Sequence, residues 1–175
     1  MNSAIRFVDV EASGLQTGSY PIEVGWSSPE LESEGFLISP APDWSLRDWS
    51  RAAELVHHIS LEDCTTHGVA VQDAAVRLNG ALAEKSLYSD APDYDGHWLQ
   101  RLYQAADMQP TFSLKLLPLE TLLRGTLSAQ GHGDWWADLD DLSRHVAARY
   151  PRTHRAEADA RHMAAMYRSV VGLDP

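Results

Sequence analysis

The sequence has a single cysteine, no long apolar run and fewer basic than acidic residues. Because Cys64 is alone, no disulfide can form within the chain, and a reducing compartment is expected. The first residues lack the layout of a signal peptide and no segment approaches membrane-spanning length, so we expect a cytoplasmic protein with no membrane partner. The formal net charge of −11 argues against a protein that coats long nucleic acid electrostatically.

The 175 residues contain no low-complexity tract, repeat or obvious linker, so one domain over residues 1–175 is expected. Apolar patterning predicts strands at the start of the chain and over residues 20–28, 34–39, 86–89 and 111–117. Helices are predicted within 44–59, over 70–83, from Pro92, over 119–127, after a capping Asp134 and over 153–171. This order indicates an α/β protein with a mixed sheet.

Two carboxylates, Asp9 and Glu11, interrupt the apolar first strand. Side chains two apart on a strand share a face, and two like charges buried together are costly unless a positive group neutralises them. A divalent cation such as Mg²⁺ or Mn²⁺ would do so through oxygen ligands. The alternative is that the strand ends at Asp9 and that Glu11 begins a solvated turn.

Acidic residues also cluster around Pro92, at the predicted start of a helix: Asp90, Asp93 and Asp95. They can be simple capping residues, since acids favour the positive end of the helix dipole, or one can face a metal. Near the last helix, His154 and Asp159 would diverge by about 140° within a regular helix. They converge only if His154 lies in the entry loop; otherwise His154 is an exposed residue at a helix start.

Two other features receive a structural interpretation. Glu23 lies among apolar residues of the second strand, where we expect a strand-edge or hydrogen-bonded structural role. The adjacent His57 and His58 would point about 100° apart on a helix, and the chain lacks other zinc ligands at suitable spacing, so no zinc site is expected.

Three segments carry a resemblance to a known family: Asp9-Val10-Glu11-Ala12-Ser13-Gly14-Leu15, Tyr94-Asp95-Gly96-His97-Trp98-Leu99, and His154 followed by Asp159 with four residues between them. In this order they resemble the motifs of the DEDDh 3′–5′ exonucleases, a family that includes ribonuclease T, oligoribonuclease and a polymerase proofreading subunit. Two segments between the motifs are also similar, Pro21-Ile22-Glu23-Val24-Gly25 and His57-His58-Ile59-Ser60. The resemblance spans nearly the whole chain.

The motifs depart from the family pattern at two places. Ser13 replaces the usual Thr and keeps its hydroxyl. The segment before the second motif, usually Asn-Ala-x, is one residue longer and more acidic here. The resemblance favours Asp95 over Asp93 as the ligand, because Trp98-Leu99 follows Asp95 at the family's distance.

The resemblance implies a ribonuclease H-like fold, with a mixed five-stranded sheet flanked by helices. It implies that two divalent ions, Mg²⁺ or Mn²⁺, are held by four carboxylates and that His154 is the general base. The implied ligands are Asp9, Glu11, Asp95 and Asp159. The implied substrate contacts are Ser13, Gly14, Leu15, His58 and Tyr94, and Arg152 and Arg155 are candidates for phosphate contacts.

The implied activity is 3′–5′ exonucleolytic removal of nucleoside 5′-monophosphates from single-stranded DNA or RNA. The acidic balance also suits a narrower, oligoribonuclease-like enzyme that degrades very short RNAs. Other hypotheses are a catalytically silent module that binds nucleic acid or a protein partner, and a phosphatase or other metal hydrolase. Related exonucleases are often dimers, so a homodimer is left open.

Overall fold

Five strands form one sheet in a computed structural model that describes residues 4–131 and 135–173, without the side chains at 135–138 and 140. The strands are β1 (Ile5–Ala12), β2 (Pro21–Ser27), β3 (Ser33–Leu37), β4 (Ser86–Ser89) and β5 (Leu117–Pro118). The helices are α1 (Arg51–His57), α2 (Leu61–His67), α3 (Val71–Leu82), α4 (Pro92–Ala106), α5 (Leu119–Ala129), α6 (Trp135–Ala147) and α7 (Ala156–Val170).

The strand order is β3-β2-β1-β4-β5, so β1 is central. It pairs antiparallel with β2 and parallel with β4, while β2–β3 is antiparallel and β4–β5 parallel. The predicted mixed five-stranded sheet is therefore confirmed. The β1–β2 register shifts between Glu11 and Ala12, an irregularity of the kind that re-aims side chains where a strand ends.

Strand β1 sends alternate side chains into two apolar cores, one on each side of the sheet. Val8 and Val10 belong to a core that includes apolar residues of α3 and α4. Ile5 and Phe7 belong to the opposite core, shared with α5 and α7. Alternation along the strand puts the next two odd-numbered residues, both carboxylates, on the α7 side of the sheet.

The structure corrects the sequence prediction in two places. The strand predicted over 111–117 is wrong: only Leu117–Pro118 is a strand, because Thr111 is instead held by Asn79, whose Oδ1 accepts the Thr111 N–H at 2.9 Å. Helix α2 was not predicted. The expected cap at Asp134 lies outside the described residues. No helix within 4–131 or 135–173 is long and apolar enough to cross a membrane.

Candidate functional site

A cleft of about 600 Å³ opens where the parallel strands β1 and β4 end. Its wall is formed by the end of β1, helix α1, the start of α4 and the segment that precedes α7. The carboxyl edge of parallel strands is where open α/β sheets bind ligands. The main chain there leaves the sheet, so side chains from elements far apart in sequence can meet.

The floor of the cleft carries Asp9 and Glu11, from the central strand. Asp9 is 8 % exposed, and no hydrogen-bond partner among the described residues reaches its Oδ2 atom. Glu11 is half-buried beside the register shift. A buried carboxylate oxygen without a hydrogen-bond partner lowers the stability of the fold, and Asp9 Oδ2 is such an oxygen among the described residues.

The first turn of α4 contributes Asp95, which is 2 % exposed. The hydroxyl of Ser89, the last residue of β4, donates to Asp95 Oδ2, and Ser89 Oγ accepts the Ala91 N–H at 2.9 Å. Asp93 is exposed and does not line the cleft. The structure therefore brings Asp95, and not Asp93, to the carboxylates of β1.

The start of α7 contributes Asp159, 3 % exposed, whose Oδ1 accepts the Thr153 N–H at 2.9 Å. His154 lies before the helix in a left-handed conformation (φ 53°) and is exposed. Candidate ligand atoms of Glu11, His154 and Asp159 all lie within 4.8 Å of one another. His154 thus lies in the loop before the helix and Asp159 lies within the helix, which is the arrangement that the sequence analysis required for the two side chains to converge.

A second group of carboxylates, Asp9, Asp90 and Asp95, also lies within 4.8 Å. Burial raises the pKa of Asp9 well above its ordinary value, and the neighbouring carboxylates of Asp95, Glu11 and Asp159 raise it further. Burial also raises the pKa of Glu11 to about 7 and that of Asp95 to about 7. These hard oxygen donors, one of them orphaned, fit a divalent cation such as Mg²⁺ or Mn²⁺.

The position of α7 depends on contacts with β2. Both oxygens of the buried Glu23 carboxylate accept the Arg155 Nε–H at 3.1 Å, and Oε2 also accepts the Ala156 N–H at 2.8 Å. A Cβ at Gly25 would lie 2.2 Å from the main-chain nitrogen of Glu157. The helix start therefore packs directly on the strand, and the predicted structural role of Glu23 is confirmed.

The predicted substrate contacts separate into two sets. Gly14, Leu15 and Tyr94 line the cleft, and both Leu15 (78 %) and Tyr94 (58 %) are largely exposed. Ser13 is fully buried; its hydroxyl donates to the Asp48 carbonyl and accepts the Tyr20 N–H, each at 3.1 Å. Its hydroxyl holds a turn together.

His58 is exposed at the end of α1 and does not line the cleft, whereas the neighbouring His57 does. His57 is 2 % exposed, and its Nδ1 accepts the Ile59 N–H at 3.1 Å. The segment His57-His58-Ile59-Ser60, which is similar to the family, located this part of the site in the sequence. Which of the two histidines faces the cleft could not be predicted, because it depends on the left-handed conformation of His58 at the end of α1.

No protein-family model and no curated protein matches the sequence. Solved structures do match. Exonuclease I of E. coli, in complex with a dT13 oligonucleotide, superposes with a TM-score of 0.67 and 18% identity over 95% of this chain. A product-bound structure of exonuclease I gives a TM-score of 0.65, again with 18% identity over 95% of this chain.

The chain spans about 40% of the length of these neighbours, 40% of the first and 42% of the second. At such identities the similarity concerns the path of the chain and the arrangement of its elements. The chain thus has the ribonuclease H-like fold of exonuclease I, a mixed five-stranded sheet flanked by helices, as the resemblance of its motifs implied.

Proposed function

We propose that the protein is a metal-dependent 3′–5′ exonuclease that acts on single-stranded nucleic acid. The observation that carries this proposal is the convergence of Asp9, Glu11, Asp95 and Asp159 in one cleft, where no described residue is a hydrogen-bond partner of Asp9 Oδ2. The neighbour in fold, exonuclease I, has been solved with dT13 and dA16 oligonucleotides. Its likeness supports a similar class of substrate here.

The four carboxylates would hold two divalent ions, Mg²⁺ or Mn²⁺, with Asp9 and Asp95 in one group and Glu11 and Asp159 in the other. Such ions, when bound, activate water and stabilise the oxygen that leaves phosphorus. The chain supplies the placement: Ser89 holds Asp95, the Thr153 N–H holds Asp159, and the β1 strand holds Asp9.

His154 would act as the general base, taking the proton of the water that attacks the terminal phosphodiester. Imidazole is the side chain suited to this transfer near neutral pH. His154 lies at the mouth of the cleft, within 4.8 Å of Glu11 and Asp159 ligand atoms. The P–O bond to the 3′ oxygen of the preceding nucleotide breaks, and a nucleoside 5′-monophosphate is released.

The 3′-terminal nucleotide would rest on Gly14, Leu15 and Tyr94. The exposed Leu15 side chain and Tyr94 ring offer apolar faces against which any base can stack, which gives binding without sequence preference. Gly14 has no room for a side chain, because a Cβ would lie 2.9 Å from both Ser19 Oγ and Ser50 Cβ.

One observation favours a preference for short substrates, as in an oligoribonuclease. Arg152 is the only Lys or Arg among the described residues that line the cleft. Proteins that follow a long single strand use a positively charged groove along its backbone. A cleft with one cationic side chain suits two or three nucleotides better than a long chain.

The test is a digestion of 5′-labelled single-stranded DNA and RNA of graded length, with Mn²⁺, with chelator, and with the His154→Ala variant. The expected result is stepwise shortening from the 3′ end, lost with chelator and in the variant. Cleavage of nucleotide esters alone would indicate a phosphatase. Binding without cleavage in wild type, with metal demonstrably bound, would indicate a silent module and contradict the proposal.

A further inference from the structure

Arg152 and Asp90 form an ion pair in the wall of the cleft. Both residues line the cleft, and both also line a second cavity of about 330 Å³, together with residues of α5, α6 and α7. We propose that Arg152 binds a phosphate group of the substrate beside the metal-holding carboxylates, and that Asp90 positions its guanidinium. This inference rests on the proposed function and assigns one of its substrate-binding contacts.

The position of Asp90 brings the guanidinium to the acidic cluster. The carboxylate of Asp90 lies within 4.8 Å of ligand atoms of Asp9 and Asp95, and its Oδ2 pairs with Arg152 Nη2. The charge of Arg152 is felt there, since it lowers the pKa values of Asp9 and Glu11 against the larger effect of burial. A phosphate bound by Arg152 would lie next to these carboxylates.

The guanidinium keeps donors available after pairing. A guanidinium has five N–H groups in a planar fork that matches two oxygens of a phosphate. The pairing with Asp90, the one ion pair of Arg152 within the described part of the chain, uses one of its nitrogens, and the Arg152 side chain is 46 % exposed. Asp90, 26 % exposed, thus restrains the side chain without covering it.

The other candidate, Arg155, is engaged elsewhere. Its Nε donates to both oxygens of Glu23 and its Nη2 donates to Oε1 at 2.6 Å, so the fork faces β2. Arg155 also does not line the cleft. Of the two arginines close to His154 in sequence, the structure therefore assigns Arg155 to positioning α7 and Arg152 to the ligand.

Arg152 belongs to the same short segment as the candidate base. Thr153, between Arg152 and His154, donates its N–H to Asp159 Oδ1 at 2.9 Å. This bond restrains the main chain on which the guanidinium and the imidazole are both mounted. A phosphate on Arg152 would therefore be presented near the group that takes the proton of the attacking water.

The test measures binding of thymidine 5′-monophosphate with Ca²⁺ present, by calorimetry, to wild type, Arg152→Gln, Arg152→Lys and the control Arg77→Gln. Arg77 pairs with Glu34 away from the cleft and is similarly exposed. We expect Arg152→Gln to weaken binding roughly tenfold to a hundredfold. Arg152→Lys keeps the charge but loses the planar guanidinium, so its affinity for the nucleotide should lie between those of wild type and Arg152→Gln. The affinity of Arg77→Gln should equal that of wild type.

Asp90→Asn separates positioning from metal binding. If Asp90 positions Arg152, this variant weakens nucleotide binding by a few-fold and leaves the number of bound Mn²⁺ ions unchanged in a spin-resonance titration. Loss of one Mn²⁺ from Asp90→Asn, with nucleotide binding intact in Arg152→Gln, would overturn the inference and make Asp90 a metal ligand.

The two proposals fail differently. If wild type shortens oligonucleotides but Arg152→Gln binds the nucleotide and cleaves with an unchanged KM, the exonuclease stands and the role of Arg152 is wrong. If the nucleotide binds through Arg152 but wild type cleaves no oligonucleotide, the phosphate contact stands and the exonuclease proposal fails.

Discussion

Two carboxylates on neighbouring strands are equally well buried and yet differ in their partners. Glu23 on β2 is 4 % exposed and receives hydrogen bonds from Arg155 and from the Ala156 N–H. Asp9 on β1 is 8 % exposed, and its Oδ2 has no partner among the described residues. The largest influences on the pKa of Asp9 besides burial are other carboxylates, which raise it.

The difference separates a carboxylate that the fold compensates from one that it leaves largely uncompensated. Glu23 is compensated within the chain, and the compensation fixes the start of α7. Arg152 is only a weak counter-charge for Asp9, so an external cation would stabilise the ionised form of this carboxylate. A buried carboxylate that the fold leaves uncompensated favours a cation as ligand.

The largest effect expected is on activity in Asp9→Asn. Removing the charged ligand should lower nuclease activity by roughly a hundredfold or more. The metal-free variant should unfold at a temperature equal to or above that of wild type, because a buried like charge is removed. Activity assays and thermal melts in chelator check this. Wild-type activity in Asp9→Asn would contradict the role of Asp9.

Gly25→Ala should disturb the site without touching a carboxylate. A Cβ at position 25 would lie 2.3 Å from the main-chain carbon of Ala156, and a main chain cannot turn aside as a flexible side chain can. We expect a loss of about 1–3 kcal/mol in the free energy of unfolding and weaker metal binding, since α7 carries Asp159. Gly80→Ala, within α3 where a Cβ would meet nothing outside its own helix within 4 Å, is the control; it should not lower the free energy of unfolding and should leave metal binding unchanged.

Glu23→Gln should show the opposite pattern to Asp9→Asn. It leaves the Arg155 guanidinium without its charged partner and should lower the free energy of unfolding by about 1.5–3 kcal/mol. Because Glu23 is not a predicted ligand, folded protein should retain metal-dependent activity. Denaturant melts measure the first effect, and assays well below the melting temperature measure the second. Loss of bound metal at full stability would make Glu23 functional.

The smallest expected effect is the pH dependence of metal-free stability. The pKa of Glu11 rises from 4.5 to about 7 on folding, and that of Asp95 from 3.8 to about 7. At pH values between the ordinary and the raised pKa of these groups, the folded chain binds more protons than the unfolded chain. The free energy of unfolding therefore falls as the pH rises toward 7.

Thermal melts in chelator at a series of pH values measure this slope, and Glu11→Gln should flatten it by removing one titrating group. Metal needs ionised ligands, so added Mn²⁺ should raise the melting temperature more at pH of about 7.5 than of about 5. A metal-free melting temperature that rises with pH over this range, unchanged in Glu11→Gln, would contradict the burial of these acids.

Much of the fold followed from periodicity and turn residues. The β2–β3 hairpin, helix α3 and strand β4 lie within one or two residues of their predicted bounds, because apolar spacing dominates there. The segment over 111–117 alternates like a strand, but Asn79 of α3 holds Thr111 through side-chain hydrogen bonds that no local pattern reveals. Helix α2 was missed although Ser60 and Asp63 form a capping box visible in the sequence.

The order of the motifs predicted which carboxylates form the site, but the sequence did not predict the contacts of the arginines beside them. Asp9, Glu11, Asp95 and Asp159 come together in the cleft, since strand alternation and helix starts determine where they point. Which arginine faces the cleft depends on contacts between distant segments, such as Glu23 with Arg155, and spacing cannot supply them. The catalytic roles of the four carboxylates stay predictions.

The most direct test is a titration of Mn²⁺ binding at neutral pH in wild type, Asp9→Asn and Glu23→Gln. We expect two bound ions in wild type and in folded Glu23→Gln, and fewer or more weakly bound ions in Asp9→Asn. Equal binding by wild type and Asp9→Asn, or no binding by wild type, would show that the uncompensated carboxylate is not a metal ligand.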